Sequence, residues 1–165
     1  MTDAILLTDG SMPAVRLERL LLDPPAVVWK ALTDREELRS WFPCDVIVSG
    51  GEWKVGAGIE FPFSADLTWT GEVLELDEPN VLAFTWAEST LRFELSAVNG
   101  GTRLVLTDRL PPNSAARNAA GWEQCLDRLA GIAGRYEWQP RFESYTASFE
   151  PLVGAQEGPP GSLKG

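Results

Sequence analysis

Apolar and polar residues alternate along most of residues 44–110, and this period of two is typical of half-buried β-strands. Residues 14–22 alternate in the same way, except that Arg19 takes a position where an apolar residue is expected. Gly-rich and Asn-rich turns separate the later runs, as in antiparallel hairpins. The pattern therefore predicts an antiparallel sheet of about six or seven strands with one apolar face.

The hydrophobic spacing changes to three and four residues in the segments that are predicted to be helical. Two short helices are expected after Asp23-Pro24-Pro25, and Asp34 is placed to cap the second of them. A long helix with one apolar stripe is expected from Asn113 or Ser114 to about Ala133. Because no other element is long enough to cover the apolar sheet face, we expect the sheet to curl around this helix.

The pattern divides the chain into one domain and its flanking segments. Residues 14–133 form the predicted domain, and residues 1–13 are expected to be a flexible N-terminal arm. In the extension 134–150, aromatic residues from Trp138 to Phe149 repeat at helical spacing and predict a short amphipathic helix. This helix could pack on the domain, form a dimer contact or act as a lid. The Gly-rich and Pro-rich residues 151–165 are expected to be disordered.

Composition narrows the classes of function that the chain can have. It has 165 residues with a net charge of −10, and this acidity argues against nucleic-acid partners. The absence of histidine excludes His-dependent catalytic triads and His-based metal sites. Cys44 and Cys125 are far apart and form no CxxC motif, so we expect two reduced thiols, with a single disulfide as the alternative, and no metal or cofactor. Without a signal-peptide pattern or a membrane-spanning apolar run, the protein is expected to be cytoplasmic.

Several short motifs, taken in order, resemble one protein superfamily. The chain is similar to the START-like (SRPBCC, helix-grip) superfamily, and within it to the activator-of-heat-shock-protein-ATPase homologue (AHSA-type) family. The resemblance covers about residues 14–133 and is carried by Val15-x-Leu17-x-Arg19, Leu38-x-x-Trp41-Phe42, Leu82-x-Phe84-x-Trp86 and Gly101-Thr102-x-Leu104-x-Leu106. It implies an α+β fold in which a curved antiparallel sheet wraps around a long C-terminal helix and leaves a cavity between them. The superfamily includes ligand carriers, aromatic polyketide cyclases and co-chaperones, so the fold does not select a function.

Aromatic residues dominate the predicted inner face of the sheet. Such rings can simply pack as core, or they can line a cavity for an apolar or aromatic ligand. We predict a cavity, and its aromatic lining is expected to comprise Trp41, Trp53, Phe61, Trp69, Phe84, Trp86, Phe93 and Trp122.

Two charged residues, Arg19 and Asp108, also lie on the apolar side of their strands. They could reach solvent at a strand end, pair with each other, or form a polar anchor in the cavity, with Arg19 holding a carboxylate, carbonyl or phenolate. Asp108 or Glu75 could alternatively serve as a general acid or base. Many relatives of the resembled family have histidine at the position of Asp108, so no role of that histidine carries over.

Three functional hypotheses follow from these residues. The first is a non-enzymatic protein that binds a small apolar or aromatic ligand between the sheet and the long helix, with no catalytic residue assigned. The second is a cyclase-like or hydrolase-like enzyme that uses Asp108 or Glu75 together with Arg19. The third is an interaction module with a chaperone partner. A homodimer is left open in all three.

Overall fold

The structure is a computed structural model and describes residues 4–132 and 138–158. The strands in these ranges are β1 (Ile5–Leu7), β2 (Ala14–Leu21), β3 (Ile47–Val48), β4 (Gly58–Ser64), β5 (Leu67–Asp77), β6 (Val81–Trp86), β7 (Ser89–Val98) and β8 (Gly101–Arg109). The helices are α1 (Pro25–Thr33), α2 (Arg35–Trp41), α3 (Ala115–Leu129) and α4 (Trp138–Val153), and short 3₁₀ turns occur at Ser49–Gly51 and Pro112–Ser114.

All eight strands form one antiparallel sheet in the order β1-β2-β8-β7-β6-β5-β4-β3. Strands β4 to β8 pair as consecutive hairpins, and β2 pairs with β8. This arrangement confirms the predicted α+β fold, with a strand count slightly above six or seven. The edge strands β1 and β3 have three and two residues, so neither is long enough to show a clear alternation.

The inner face of the sheet packs against α3. On β2, Val15, Leu17 and Arg19 are buried, whereas the neighbouring Leu20 is 72% exposed. The first turns of α3 present small residues, and Ala115, Ala116, Ala119 and Ala120 are all fully buried. Because these side chains are short, they allow the helix to approach the sheet closely, as the predicted wrapping of the sheet around this helix requires.

The two short helices form as predicted and cover one part of the inner face. The Asp34 carboxylate accepts hydrogen bonds from the backbone N–H groups of Glu36 (2.9 Å) and Glu37 (3.4 Å), which caps α2. The indole of Trp41 donates a hydrogen bond to the carbonyl of Ala31 at 2.9 Å and ties α2 to α1.

The described residues next to both predicted flexible segments form more regular structure than the sequence pattern indicates. Within the predicted arm, β1 pairs with β2, and the backbone N–H of Ala4 donates to the Tyr145 hydroxyl at 2.8 Å. Helix α4 packs on α3 and passes Pro151 to end at Val153. The predicted disordered tail therefore differs from the structure at residues 151–158, whereas residues 159–165 lie outside the described residues.

Hydrogen bonds explain the order of residues 154–158. The Gln156 side chain accepts from the backbone N–H of Ala116 at 2.9 Å and donates to the Pro112 carbonyl at 2.8 Å. The backbone N–H of Glu157 also donates to the Asn113 carbonyl at 2.8 Å. Gln156 thus satisfies one of the free N–H groups at the start of α3, which composition alone does not predict.

None of the helices in the described ranges combines the length and apolar character needed to cross a bilayer. The predicted end of the long helix at Ala133 lies outside the described residues, and α3 ends at Leu129.

Candidate functional site

A pocket of about 480 Å³ opens at one end of the layer between the sheet and α3. This volume lies within the range of pockets that bind small molecules. Its walls come from the β4–β5 hairpin, the β6–β7 turn, the first half of α3 and the first residue of α4. The lining residues are Pro43, Phe63, Trp69, Trp86, Ala87, Glu88, Ser89, Pro111, Ser114, Arg117, Asn118, Gly121, Trp122 and Trp138.

Aromatic rings form much of the pocket wall. Phe63 contacts Trp69 with ring centroids 4.7 Å apart, and Trp69 contacts Trp86 at 5.4 Å. Trp86 then contacts Trp122 at 5.7 Å, and Trp138 contributes a further ring from α4. These contacts make a continuous aromatic surface against which a planar apolar molecule can pack.

Two glycines shape the pocket and its surroundings in different ways. At Gly71, a Cβ atom would lie 1.8 Å from the Thr85 carbonyl oxygen, so glycine is required where β5 passes close to β6. At Gly121, a Cβ atom would meet no other atom within 4 Å. The missing side chain at Gly121 therefore leaves open space on the face of α3 that lines the pocket.

Polar side chains lie on the α3 wall and on the β6–β7 turn. Arg117 and Asn118 belong to α3, and the Arg117 Nη1 donates to the Gly158 carbonyl at 2.9 Å. Glu88 is exposed in the turn, and Ser89 is the first residue of β7. The pocket thus has an aromatic body and a small number of polar groups that could orient a ligand.

Asp108 lies fully buried next to this wall. Its Oδ2 accepts from the Trp122 indole Nε1 at 2.9 Å and from the Asn118 amide at 3.3 Å, whereas its Oδ1 has no hydrogen-bond partner among the described residues. Burial raises the pKa of Asp108 to about 7, although the two hydrogen bonds act to lower it. Because both donors line the pocket, Asp108 positions part of its wall.

Of the predicted aromatic lining, Trp69, Trp86 and Trp122 lie at the pocket. The other rings lie elsewhere. Trp41, Phe61, Phe84 and Phe93 are each at most 2% exposed, and we call this group the aromatic interior. Trp53 is half-buried, and its indole donates to the Thr33 carbonyl at 2.8 Å at the end of α1.

The structure separates the two inward charges. In the β2–β8 register, Arg19 lies opposite Leu104 and Asp108 lies opposite Val15, so the two are four positions apart, about 13 Å along the strands. Arg19 instead has its Nε 3.7 Å from the Asp127 carboxylate, and it does not line the pocket. Arg19 and Asp108 therefore do not form the ion pair that was one of the predicted alternatives.

Glu75, the other carboxylate considered as a general base, is also remote from the pocket. Its side chain is exposed and accepts from Arg92 Nη1 at 2.6 Å. No lining residue of the pocket belongs to its part of β5.

Sequence reasoning did not assign several of the lining residues to the site. Phe63, Glu88 and Ser89 lie beside turns, and Arg117 and Asn118 lie near the start of α3. Alternation places Phe63 on the aromatic inner face but does not show that its ring borders a cavity. At the four polar positions, hydrophobic periodicity carries little information, because polar residues are common in turns and on helix termini. Trp138 did carry a signal, since the aromatic spacing of α4 had indicated a lid as one alternative.

The remaining candidate chemistry lies outside the pocket. Cys44 and Cys125 are both free thiols, and burial raises the pKa of each to about 12, which keeps them protonated. In residues 4–132 and 138–158, no three Cys, Asp or Glu side chains come together as a metal site would require.

Comparison with known proteins places the chain in a family context. The family model described as Activator of Hsp90 ATPase homolog 1-like protein matches residues 23–134. No curated protein matches the chain.

Solved structures share the fold at low sequence identity. A conserved protein of unknown function from Enterococcus faecalis is 23% identical with a TM-score of 0.77, and the match covers 90% of this chain and 91% of that chain. CalU16 from Micromonospora echinospora is 20% identical with a TM-score of 0.70 and coverages of 92% and 94%. The Aha1 dimer from Colwellia psychrerythraea is 19% identical with a TM-score of 0.60 and coverages of 73% and 98%.

These coverages bear on the C-terminal extension. Residues 1–133 make up about four fifths of the chain, so a match to 90% of it must include residues beyond that point. Part of the chain beyond residue 133 is therefore included in the match to the Enterococcus faecalis protein.

Proposed function

This chain belongs to the family of activator of Hsp90 ATPase homolog 1-like proteins, and within that family we propose that it binds a small apolar or aromatic molecule in the pocket between its sheet and α3. The observation that carries this proposal is the set of five aromatic rings around a space of about 480 Å³. Water in such a space gains few hydrogen bonds from the rings, so an apolar ligand that displaces it is favoured.

A second candidate function is proton transfer to or from a bound substrate by Asp108. Its pKa of about 7 favours this candidate, because a general acid or base works best when its pKa is close to the working pH. However, Asp108 is absent from the pocket lining, and Asn118 and Trp122 lie between its carboxyl and the pocket. A substrate would reach it only after Asn118 rotates away, so ligand binding has the better support.

The variant Gly121→Leu tests ligand binding. A leucine at this position extends into the open space that lines the pocket, and its Cβ meets no atom within 4 Å. Isothermal titration calorimetry with naphthalene-2-carboxamide should show saturable binding to the wild-type protein and at least a tenfold loss of affinity in the variant.

Gln124→Leu is the matched control for this experiment. It places the same side chain on α3 at a position that does not line the pocket, and it should leave the affinity unchanged. Equal losses in the two leucine variants, or a wild-type protein that binds no naphthalene probe, would contradict the proposal.

Assembly is a separate proposal. The Colwellia psychrerythraea relative was solved as an Aha1 dimer, and we propose that this chain also forms a homodimer. Light scattering after size-exclusion chromatography should then give twice the chain mass of 18.1 kDa, and the single-chain mass would contradict it. A chaperone partner, the third hypothesis, is supported only by the description of the family.

A further inference from the structure

Most arginine side chains in the described residues face a carboxylate. Arg35 lies 2.7 Å from Asp45, and Arg39 lies 2.7 Å from Glu36, as a net charge of −10 would favour. Arg117 differs from them, because no carboxylate in residues 4–132 and 138–158 lies within ion-pair distance of its guanidinium. Its only hydrogen bond in that part of the chain goes from Nη1 to the Gly158 carbonyl.

Arg117 also lines the aromatic pocket. We propose that the ligand carries an anionic group, with a carboxylate as the simplest case, and that Arg117 binds this group while the aromatic rings hold the body of the ligand. The inference rests on the proposed function and extends it to the chemical class of the ligand. A guanidinium suits this role, because its planar fork of N–H donors matches the two oxygens of a carboxylate.

The spacing of residues along α3 leaves room for such a group. Arg117 and Gly121 are four residues apart and therefore share one face of the helix. The space left by the missing side chain at Gly121 thus lies beside Arg117. Asn118 and Ser89 also line the pocket and add hydrogen-bond donors.

Two acidic groups lie near this site and oppose an anion. Glu88 is exposed on the β6–β7 turn, where water and salt screen its charge. Asp108 is buried behind Asn118 and Trp122, and its register neighbours Val15 and Leu91 are apolar. Protonation of Asp108 removes its negative charge and with it the repulsion of a bound anion. Anion binding should therefore be strongest in slightly acidic buffer.

Two naphthalene probes of equal shape and different charge test the inference. Calorimetry in slightly acidic buffer should show that naphthalene-2-carboxylate binds the wild-type protein about tenfold more tightly than naphthalene-2-carboxamide, as expected for a charge-assisted hydrogen bond. Arg117→Gln should abolish this difference by weakening the carboxylate alone. Arg117→Lys should keep part of it, since it retains the charge without the planar fork.

Arg128→Gln is the matched control, because it removes the same charge from an exposed position on α3 that does not line the pocket. It should leave both affinities unchanged, and Glu88→Gln should not weaken the carboxylate. Equal binding of the two probes to the wild-type protein, or equal losses in Arg117→Gln and Arg128→Gln, would overturn the assignment of Arg117 while the pocket itself still binds. Failure of both probes to bind would instead overturn the proposed function.

Discussion

The aromatic interior and the aromatic pocket are neighbouring regions of one sheet face. On β4, Phe61 is fully buried in the interior, whereas Phe63, two residues further along, lines the pocket and is 42% exposed. On β6, Phe84 is 2% exposed, and Trp86 two residues later lines the pocket. Both pairs consist of aromatic residues two positions apart on one strand, yet only the first residue of each pair is buried in the interior.

The elements that cover the sheet explain this difference. Trp41 at the end of α2 packs on Phe93 with ring centroids 6.1 Å apart, and the following Phe42 packs on Phe61 at 6.3 Å. Over the pocket, α3 instead presents Gly121, which contributes no side chain. A ring on the sheet is therefore core where side chains cover it completely and pocket wall where α3 leaves open space beside it. Trp86 lines the pocket although Phe42 packs on it with ring centroids 5.6 Å apart.

The largest expected effect separates the two members of the β4 pair. Phe61→Ala should lower the free energy of unfolding by about 3–5 kcal/mol, because it leaves a cavity in a sealed interior. Phe63→Ala should cost about 1 kcal/mol or less, because water already reaches that ring. Urea denaturation of the two variants measures both values, and similar losses would show that the two regions do not differ in packing.

The buried carboxyl beside the pocket wall should make stability depend on pH. The folded protein keeps Asp108 protonated up to about pH 7, whereas the unfolded chain releases that proton near its ordinary pKa. The folded state therefore binds more protons between these values, and stability falls as the pH rises through this window.

The comparison with Asp108→Asn isolates this effect from other titrating groups. Between about pH 4 and pH 7, the wild-type protein should lose up to about 4 kcal/mol relative to the variant. Denaturation curves over this range provide the measurement. Parallel pH profiles for the two proteins would mean that Asp108 is ionised in the fold at low pH.

The C-terminal segment should contribute modestly to stability through the start of α3. Gln156→Ala removes the hydrogen bonds to Ala116 and Pro112 and should lower the free energy of unfolding by about 1 kcal/mol. Glu157→Gln keeps the backbone hydrogen bond to Asn113 and serves as the control. Thermal unfolding distinguishes them, and identical melting temperatures would show that Gln156 does not stabilise α3.

The smallest expected effect is a gain in stability. Gly121→Ala should raise the free energy of unfolding by about 0.5–1 kcal/mol, because alanine favours the helix and its Cβ meets nothing within 4 Å. Gly71→Ala should instead destabilise the protein, since its Cβ would collide with the Thr85 carbonyl. A loss in both variants would mean that the space beside Gly121 is not open.

The sequence was sufficient for the fold because strand alternation and proline-bounded helices agree with each other along residues 14–129. The sequence pattern did not predict the structure of the described residues before β2 and after α4, because that structure depends on a few individual contacts. The hydrogen bond from Ala4 to Tyr145 and the capping of α3 by Gln156 each require a partner that is distant in sequence. Composition and periodicity report on local structure and do not contain such partners.

The candidate site was predicted less completely for a related reason. Alternation correctly assigned Arg19 to the inner face, but it could not indicate that Asp127 of α3 lies 3.7 Å away. Arg117 gave no signal at all, because a polar residue near the start of a helix is unremarkable in sequence. Its significance depends on which carboxylates are near it, and this is a property of the folded chain.

The seven tryptophans offer the most direct test of the central claim, that the pocket binds a ligand while the interior stays closed. Four of them line the pocket, namely Trp69, Trp86, Trp122 and Trp138. Two-dimensional ¹H–¹⁵N NMR resolves each indole N–H, so titration with naphthalene-2-carboxylate reports on both regions at once. We predict that the signals of these four residues shift on binding and that those of Trp29, Trp41 and Trp53 stay in place. Shifts confined to the second group, or no shift of any indole signal at saturating probe, would contradict the account.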